Sequence, residues 1–512
     1  MKLDRTSMLY GTLVLTLTSI VSQFLGFVYR IFLSRLIGAE VMGLYQLIMP
    51  VFSVLLSLTA VGLTAAVSNL SSQYHAMGRP AVIGQVLRRC LACFLLLFAA
   101  VAAVVVVLYD PISVYLLGDA RTQLGLLLLL PCVLLTGVEN LHKHYFYGTG
   151  SIRPPAAVEL CEQFIRTGAV LGLLVLFLPQ NPERTVGLIV LGMITCEVFS
   201  AVTLFFLTRR RLSRAGSREE GRHLNRRIAS IAVPIGLTSL LGNLMGSATS
   251  VLIPQRLVHA GAQVSEAMEA FGVLCGMTLP MLCLPTAFIG ALGLVLVPKL
   301  AEGVALGRPE LVRRRVGRSL LATSVLILPA MALLAAVGPD LGAALFGEPA
   351  AGRYILPLAA GVALSCYQSV LASALNGLGR PQAAARNAIL SGAVELACVY
   401  ILMGLPGLGL RGYVAGFLVS TALGLLLNWR DVRRCTGLRP RLFQWLTAPG
   451  LSALLAGLVT NLLRQVLSDA GMSPLSGAAA CLVFGTVLYL AALQAQGVDL
   501  RKIFRLRGAQ AG

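Results

Sequence analysis

The chain has 512 residues, of which 57% are hydrophobic and only 12% are charged, and its mean hydropathy is +0.83. Soluble domains carry roughly twice that share of charge, so the composition excludes an ordinary soluble protein. A formal net charge of +20 is compatible with nucleic-acid binding, but the Lys and Arg residues here lie in short segments between apolar runs. We therefore expect an integral membrane protein with no nucleic-acid partner.

Apolar runs of the length needed to cross a bilayer, about 20 residues, recur along the chain. The first run begins at Met8 and is too long for a cleaved secretory signal, so we keep it as a span. The pattern predicts an all-α membrane protein with about 14 transmembrane helices. The predicted spans lie near residues 8–36, 42–68, 90–109, 122–147, 155–178, 185–208, 228–255, 270–298, 317–338, 353–376, 384–404, 409–428, 445–467 and 475–496.

The positions of the basic residues predict the topology, because Lys and Arg stay on the cytoplasmic side during insertion. A cytoplasmic N-terminus places most of the 41 Lys and Arg residues in alternate segments, all on the cytoplasmic side. A missed or extra span would invert every later segment and destroy this pattern. The sequence therefore predicts a multi-pass protein of the cytoplasmic membrane with both termini in the cytoplasm.

A weak internal repeat appears when the chain is shifted by about 229 residues against itself. Pro50 then falls on Pro280, and Gly148 falls on Gly377. Six spans separate the repeated units, an even number, so both must enter the membrane in the same direction. This predicts two six-helix lobes in a parallel pseudo-repeat plus a C-terminal helix pair, with a cavity between lobes. The predicted divisions are residues 1–215, 216–440 and 441–512. Shared ancestry of helical hairpins without transport is the alternative explanation.

Three segments carry a family resemblance. They are GAEVMGLYQLIMPVFSVLLSLTAVGLTAAVSNL (38–70), FGVLCGMTLPMLCLPTAFIGALGLVLVPKLAE (271–302) and the Glu-Gln-x-x-Arg of Glu162, Gln163 and Arg166. Together they resemble the stage V sporulation protein B group of the multidrug/oligosaccharidyl-lipid/polysaccharide exporter superfamily, and the similarity runs along the whole chain.

The resemblance implies a monomeric carrier, not an enzyme, that flips an undecaprenyl-pyrophosphate-linked glycan, a peptidoglycan or polysaccharide precursor, by alternating access. It also implies that the C-terminal helix pair holds the prenyl tail, and it suggests a role in sporulation. In the lipid II flippase family an Arg-Asp pair stands where this chain has Tyr29-Arg30. The particular glycan therefore stays open.

Two arginines near the predicted outer ends of spans are candidates for binding the diphosphate, because the guanidinium group offers fork-like donors. They are Arg30 in the first span and Arg256 in the seventh. Extension of either side chain to the outer head groups is the alternative. Uncharged polar residues within spans suit sugar hydroxyls, or equally hydrogen bonds between helices. These residues are Gln23, Gln46, Asn69, Asn243, Gln368 and Asn376.

Charged residues within later spans form a second set of candidates. Glu162 and Arg166 are spaced i,i+4 and are expected to form an ion pair, as a lock within one lobe or as part of a cavity wall. Glu197 lies in the sixth predicted span. Glu395 occupies the repeat position of Arg166 and needs a partner from another helix, or a proton.

The fourth predicted span ends on the predicted cytoplasmic side with Glu139 and Asn140 and with the basic residues His142, Lys143 and His144. They are candidates for receiving the diphosphate head group, and a solvated basic helix end is the alternative. The eleven cysteines are not arranged as a metal site, and we predict no metal and no cofactor. No Walker A sequence is present, so a proton or sodium gradient and the membrane potential stay as candidate energy sources.

Two other functions stay open. A small-molecule or drug antiporter of the same superfamily would share the two lobes but normally needs only twelve spans. A membrane glycan polymerase or ligase would need partnered acid and base residues in a roomy external loop, which the short external loops here do not offer. A non-transporting scaffold in envelope or spore assembly is a further alternative.

Overall fold

The computed structural model describes residues 8–212, 224–405, 407–438 and 443–497. These residues form helices joined by short turns, and no strand lies among them, which confirms the all-α prediction. The helices are α1 (Met8–Leu56), α2 (Gly62–Ala76), α3 (Pro80–Pro111), α4 (Gln123–Gly148), α5 (Arg153–Phe177), α6 (Pro182–Leu212), α7 (Leu224–His259), α8 (Val264–Phe271), α9 (Leu279–Cys283), α10 (Ala287–Ala305), α11 (Pro309–Phe346), α12 (Ile355–Gly377), α13 (Pro381–Leu402), α14 (Leu410–Thr436), α15 (Ala448–Asp469) and α16 (Pro474–Ala495).

Thirteen helical stretches of the described chain are long and apolar enough to cross a membrane. The first of them, Thr16–Ala76, has 61 residues, whereas about 20 residues span a bilayer core. It is interrupted at Gly38, where φ is 75° and ψ is 176°. Glycine adopts this non-helical conformation readily because it has no Cβ. The break divides the stretch into two spans, which brings the described residues to the predicted number of about 14.

Charged side chains hold the chain just after the Gly38 break. Arg121 Nη1 lies 2.7 Å from Glu40 Oε1, and Arg121 Nη2 lies 2.7 Å from Asp119 Oδ2. Asp119 also accepts a hydrogen bond from the Arg121 backbone N–H at 2.9 Å. The glutamate of the Gly38-Ala39-Glu40 motif therefore fixes the turn between the first two spans to the start of α4.

The predicted internal repeat is visible in the backbone. Helices α3 and α11 begin at Pro80 and Pro309, which are 229 residues apart. The same offset relates three pairs of glycines with positive φ: Gly78 and Gly307, Gly118 and Gly347, and Gly150 and Gly379. A left-handed glycine commonly ends a helix. The recurrence of these turns at one offset confirms the repeat.

The chain divides into two compact units, Met1–Gly272 (the first unit) and Val273–Gly512 (the second unit). The predicted boundaries after residues 215 and 440 lie outside the described residues, as do both termini. The three-part division of the chain therefore stays a prediction.

Within the first unit, α4 packs against α6, and α2 packs against α3, α4 and α7. A buried cluster in this unit includes Leu63, Phe94, Leu141 and Phe146. The Phe94 ring occupies the space where Gly137 of α4 lacks a Cβ. This close approach holds α3 and α4 together.

Within the second unit, α11 packs against α12, α15 and α16, and α13 packs against α14. The core beneath α15 and α16 includes Val325, Leu333, Ala456, Tyr489 and Leu493. The predicted C-terminal helix pair is therefore docked on α11 by apolar side chains.

A close helix crossing in the first unit gives a stability prediction. A Cβ on Gly43 would meet the Met268 carbonyl, and a Cβ on Gly272 would meet the Ala39 carbonyl. We expect Gly43→Val to lower the free energy of unfolding by about 1–3 kcal/mol, because the clashing atoms belong to the backbone and cannot rotate away. The thermal unfolding midpoint in detergent measures this loss. Gly26→Val, on the same helix with open space around the glycine, is the matched control, and an equal midpoint for the two variants would contradict the prediction.

Candidate functional site

Five charged side chains meet inside the first unit, and we call them the charge cluster. They are Glu139 and Lys143 of α4, Glu162 and Arg166 of α5, and Glu197 of α6. The three glutamates are between 1% and 5% exposed. Charges buried this deeply are tolerated only when they are paired.

The two cations of the charge cluster each contact two carboxylates. Lys143 Nζ lies 2.5 Å from Glu139 Oε1 and 3.5 Å from Glu162 Oε2. Arg166 Nη2 lies 2.5 Å from Glu162 Oε1 and 3.4 Å from Glu197 Oε1. The predicted Glu162–Arg166 pair is confirmed, and it belongs to a network that links three helices.

Neutral side chains complete the surroundings of Arg166. Its Nε donates to Cys196 Sγ at 3.5 Å, and Ser200 Oγ donates to Glu162 Oε2 at 3.3 Å. Ligand atoms of Glu162, Cys196 and Glu197 lie within 4.8 Å of one another, a spacing that could hold a metal ion. The Arg166 guanidinium contacts all three residues and supplies positive charge there, so we assign no metal to this cluster.

The charge cluster does not balance when every member is ionised, because three carboxylates face two cations. The Glu139 and Glu197 carboxyl groups are close enough to interact with one another. One proton shared by these carboxyl groups would make the cluster neutral.

Arg30 lies half-buried on α1, next to two buried tyrosines. Arg30 and Arg166 are both close enough to Tyr29 and Tyr45 to interact with them electrostatically. The Tyr45 hydroxyl donates to Met193 Sδ at 3.6 Å, whereas the Tyr29 hydroxyl has no hydrogen-bond partner among the described residues. Arg30 has no ion-pair partner within the described ranges. The arginine therefore lies beside buried polar groups, and no carboxylate among the described residues compensates its charge.

The remaining polar candidates of the first unit separate into two groups. Asn243 donates to Ser57 Oγ at 2.5 Å and is half-buried, as are Gln46 and Arg256. Gln23 and Asn69 are exposed, and Asn69 accepts a hydrogen bond from Gln73 at 2.6 Å. Their role in binding sugars stays a prediction.

In the second unit, Gln368 packs against Gly424 of α14, and its backbone carbonyl accepts from Asn428 at 3.1 Å. Glu395 accepts a hydrogen bond from Ser420 Oγ at 3.2 Å, so its partner comes from another helix, as expected. Asn376 is exposed on α12. Gln368 and Glu395 both lie along α14, because Ser391 packs with Gln368 at Gly424 and donates to the Ser420 carbonyl at 2.7 Å.

A polar network next to Gln368 gives a second stability prediction. Asn387 is fully buried and donates to Asn428 Oδ1 at 3.0 Å and to Asp431 Oδ2 at 2.9 Å. We expect Asn387→Ala to lower the free energy of unfolding by about 1–2 kcal/mol, because the buried Asn428 acceptor and the partly buried Asp431 acceptor each lose a donor. Thermal unfolding in detergent checks the loss, with exposed Asn376→Ala as the control. Equal stability of the two variants would show that the network contributes nothing.

The three basic residues at the end of α4 point to three different surroundings. His142 is buried, and its Nδ1 lies 2.7 Å from the Val138 carbonyl. Lys143 belongs to the charge cluster, and the His144 ring packs edge-on against Tyr147 at 5.5 Å. The structure does not assemble them as one solvated basic end. Their role in receiving a diphosphate stays a prediction.

Sequence reasoning did not select Tyr29 or Tyr45 as site residues, and it placed Glu139 at the end of the fourth span without pairing it with Lys143. The i,i+4 spacing of Glu139 and Lys143 was available as a signal for pairing. The tyrosines gave no signal of their own, because an aromatic residue in an apolar span is usually part of the packing.

The fold defines a class of membrane protein. A solved structure of lipid II flippase MurJ in an inward closed conformation matches with a TM-score of 0.70 and 12% identity, over 96% of this chain and 99% of that chain. An inward-facing multidrug resistance MATE family transporter matches with a TM-score of 0.64 and 16% identity, over 82% of this chain and 96% of that one. The chain therefore has the fold of the multidrug/oligosaccharidyl-lipid/polysaccharide exporter superfamily.

Sequence comparison then gives the family. The profile described as polysaccharide biosynthesis protein matches residues 8–304, more than half of the chain, and the chain belongs to this family. Stage V sporulation protein B of Bacillus subtilis (strain 168) is 23% identical over 478 residues, which cover 91% of this chain and 90% of that protein. Lipid II flippase MurJ of the same organism is 23% identical over 453 residues, covering 83% and 81%. The resemblance seen in the three sequence segments is confirmed.

Proposed function

We propose that this protein moves an undecaprenyl-pyrophosphate-linked glycan, a peptidoglycan or polysaccharide precursor, across the cytoplasmic membrane. It does so as a transporter and not as an enzyme. The movement follows alternating access, in which a cavity opens first to the cytoplasm and then to the outside. Both termini lie in the cytoplasm, as the distribution of Lys and Arg predicts.

The observation that carries this proposal is Arg30, a half-buried arginine in the first span with no ion-pair partner in the described part of the chain. A cation in the hydrocarbon region costs several kcal/mol unless something compensates it. A diphosphate passing through the membrane has the complementary charge and needs the same compensation. Arg30 supplies donors that fit phosphate oxygens in pairs.

In this proposal the polar candidate residues contact different parts of the cargo. Arg256 assists Arg30 with the diphosphate, while Gln46 and Asn243, both half-buried, contact the sugars. Gln23 and Asn69 of the first unit and Gln368 and Asn376 of the second unit are further candidates for contacting sugars. Each assignment rests on side-chain chemistry and on burial.

The charge cluster provides the means of coupling. A buried group of three glutamates and two cations that is one proton short of neutrality is sensitive to a proton gradient. Proton release from Glu139 or Glu197 would change the charge between α4 and α6, and could thereby favour one conformation of the carrier. We propose a proton as the coupling ion ahead of sodium, since Arg166 contacts the same group of ligand atoms that could hold a metal ion.

A drug antiporter is the second candidate function, because MATE transporters share the fold. Two observations favour the lipid-linked glycan: the match to the polysaccharide biosynthesis family and the presence of α15 and α16 beyond the twelve spans of an antiporter. Unchanged drug resistance in cells that overproduce the protein would support the glycan. Raised resistance to several cationic drugs would favour the antiporter.

Depletion of the protein in its own cells tests the proposal and identifies the cargo. We expect one lipid-linked glycan to accumulate and to stay on the cytoplasmic side, where an added membrane-impermeant glycosidase cannot reach it. Re-expression of the wild-type chain should clear it. Depletion without any change in the amount or the sidedness of lipid-linked glycans would contradict the proposal.

A further inference from the structure

A groove of about 700 Å³ runs along the first unit between three elements, the start of α2 with the π-helical turn before it, α3, and α7. It is separate from the charge cluster, which lies among α4, α5 and α6. Residues from Asn225 to Leu240 of α7 form one wall, a length of roughly 22 Å at 1.5 Å per residue. The groove is therefore elongated along α7.

Small residues create this space. The bottom of the groove is the crossing of α2 and α7, where a Cβ on Gly62 would meet the Ala232 carbonyl and come 3.2 Å from Gly236 Cα. Ala92 of α3 and Ala229 of α7 line opposite walls, and both are exposed. Leucine or phenylalanine at these positions would fill the groove with the protein's own side chains.

The two ends of the groove are polar, and the lining between them is apolar apart from Thr59. At one end, Arg89 Nη1 donates to Asn225 Oδ1 at 3.1 Å, and both residues are exposed. At the other end, Ser57 lines the groove and accepts the hydrogen bond from Asn243, a candidate for contacting sugars. The groove therefore has a cation at one end and an apolar lining. Its other end lies next to Asn243, which is predicted to contact the sugars of the substrate.

The adjacent arginine, Arg88, does not line the groove and serves as a comparison for Arg89. Arg88 is also exposed, but it lines a different pocket of about 370 Å³ together with His142 and Arg209. Only Arg89 of these two adjacent arginines lines the groove. Substituting Arg89 and Arg88 separately therefore tests whether binding depends on the positive charge that lines the groove.

We propose that this groove binds an anionic polyprenyl lipid, with the phosphate at Arg89 and part of the single prenyl chain along α3 and α7. This rests on the proposed function, and it adds a tail-binding site in the first unit to the one that the family resemblance implies for the C-terminal helix pair. A single channel with one cation at its head fits a lipid with one chain per phosphate. A phospholipid brings two acyl chains for each phosphate and fits less well.

Cys93 reports on occupancy, because it lies in the groove one turn beyond Arg89 and is exposed. The full chain in detergent is alkylated with N-ethylmaleimide while undecaprenyl phosphate is titrated, and labelling of each cysteine is followed by mass spectrometry. Exposed Cys161 on α5 serves as the internal reference. We expect undecaprenyl phosphate to slow labelling of Cys93 and to leave Cys161 unchanged, while phosphatidylglycerol at the same concentration protects Cys93 much less.

Two pairs of variants locate the phosphate and the chain. Arg89→Gln should shift the protection midpoint to roughly fivefold higher lipid concentration, and Arg88→Gln should leave it unchanged. Ala229→Trp should remove protection by filling the groove. Ile235→Trp introduces the same side chain at an exposed position of α7 outside the groove and should retain protection.

Equal protection by phosphatidylglycerol, no protection of Cys93, or equal midpoints for the two arginine variants would overturn the proposal. Wild-type translocation of a lipid-linked glycan in vesicles separates this result from the proposed function. Translocation without protection of Cys93 rejects the groove and keeps the transporter. Protection of Cys93 without translocation keeps the lipid site and rejects the transporter.

Discussion

Replacing Arg166 with methionine is expected to lower the free energy of unfolding by about 3–5 kcal/mol, the range for breaking a buried ion pair by removing one partner. Arg166 is one of two cations that face three buried glutamates, at 2.5 Å from Glu162 and 3.4 Å from Glu197. Without it, Lys143 alone opposes the carboxylates. The loss appears as a lower thermal unfolding midpoint in detergent, and Arg226→Met, at an exposed arginine of α7, is the control.

A second substitution in the charge cluster should relieve part of this loss. In the Arg166→Met, Glu162→Gln double variant the remaining carboxylates face less repulsion, so we expect a coupling energy of about 1–3 kcal/mol between the two sites. Purely additive effects of the two single variants would contradict the existence of the network.

Arg30→Ala is expected to slow transbilayer movement of the lipid-linked glycan by roughly tenfold or more, since a charge-assisted hydrogen bond contributes about 1.5–3 kcal/mol. The thermal unfolding midpoint should stay close to that of the wild type, because Arg30 forms no ion pair within the described part of the chain. Arg30→Lys should recover part of the rate, since lysine keeps the charge but not the paired donors.

Movement of labelled glycan lipid in vesicles measures this effect, with Arg88→Ala as a remote arginine control. A normal rate for Arg30→Ala with normal folding would show that this side chain faces lipid and does not contact the cargo. A lowered rate together with a lowered unfolding midpoint would also count against a direct role, since a damaged fold then explains the loss.

The number of helices and the repeat could be predicted from sequence because both depend on local signals. Apolar runs mark the spans, and turn glycines such as Gly78 and Gly307 recur at one offset. Helix ends were predicted less well. The third span was expected to begin near residue 90, whereas α3 begins at Pro80, because a helix continues past the hydrocarbon core into polar surroundings where hydropathy gives no signal.

The site was predictable only where one helix carries both partners. The Glu162–Arg166 pair follows from i,i+4 spacing, but the contact of Lys143 with Glu162 depends on the packing of α4 against α5 and α6. The groove beside Arg89 had no signal at all, since its apolar lining residues read like any lipid-facing surface. Contacts between helices and grooves along them can be recognised only when the packing of the helices is known.

Transbilayer movement by the purified protein tests the account most directly. The wild-type chain is reconstituted in vesicles with a labelled undecaprenyl-diphosphate glycan, and exposure of the label to an external, impermeant quencher is followed over time. We predict that label in the inner leaflet becomes accessible much faster than in protein-free vesicles. Equal rates with and without the folded protein would contradict the proposal that this chain is a carrier of lipid-linked glycans.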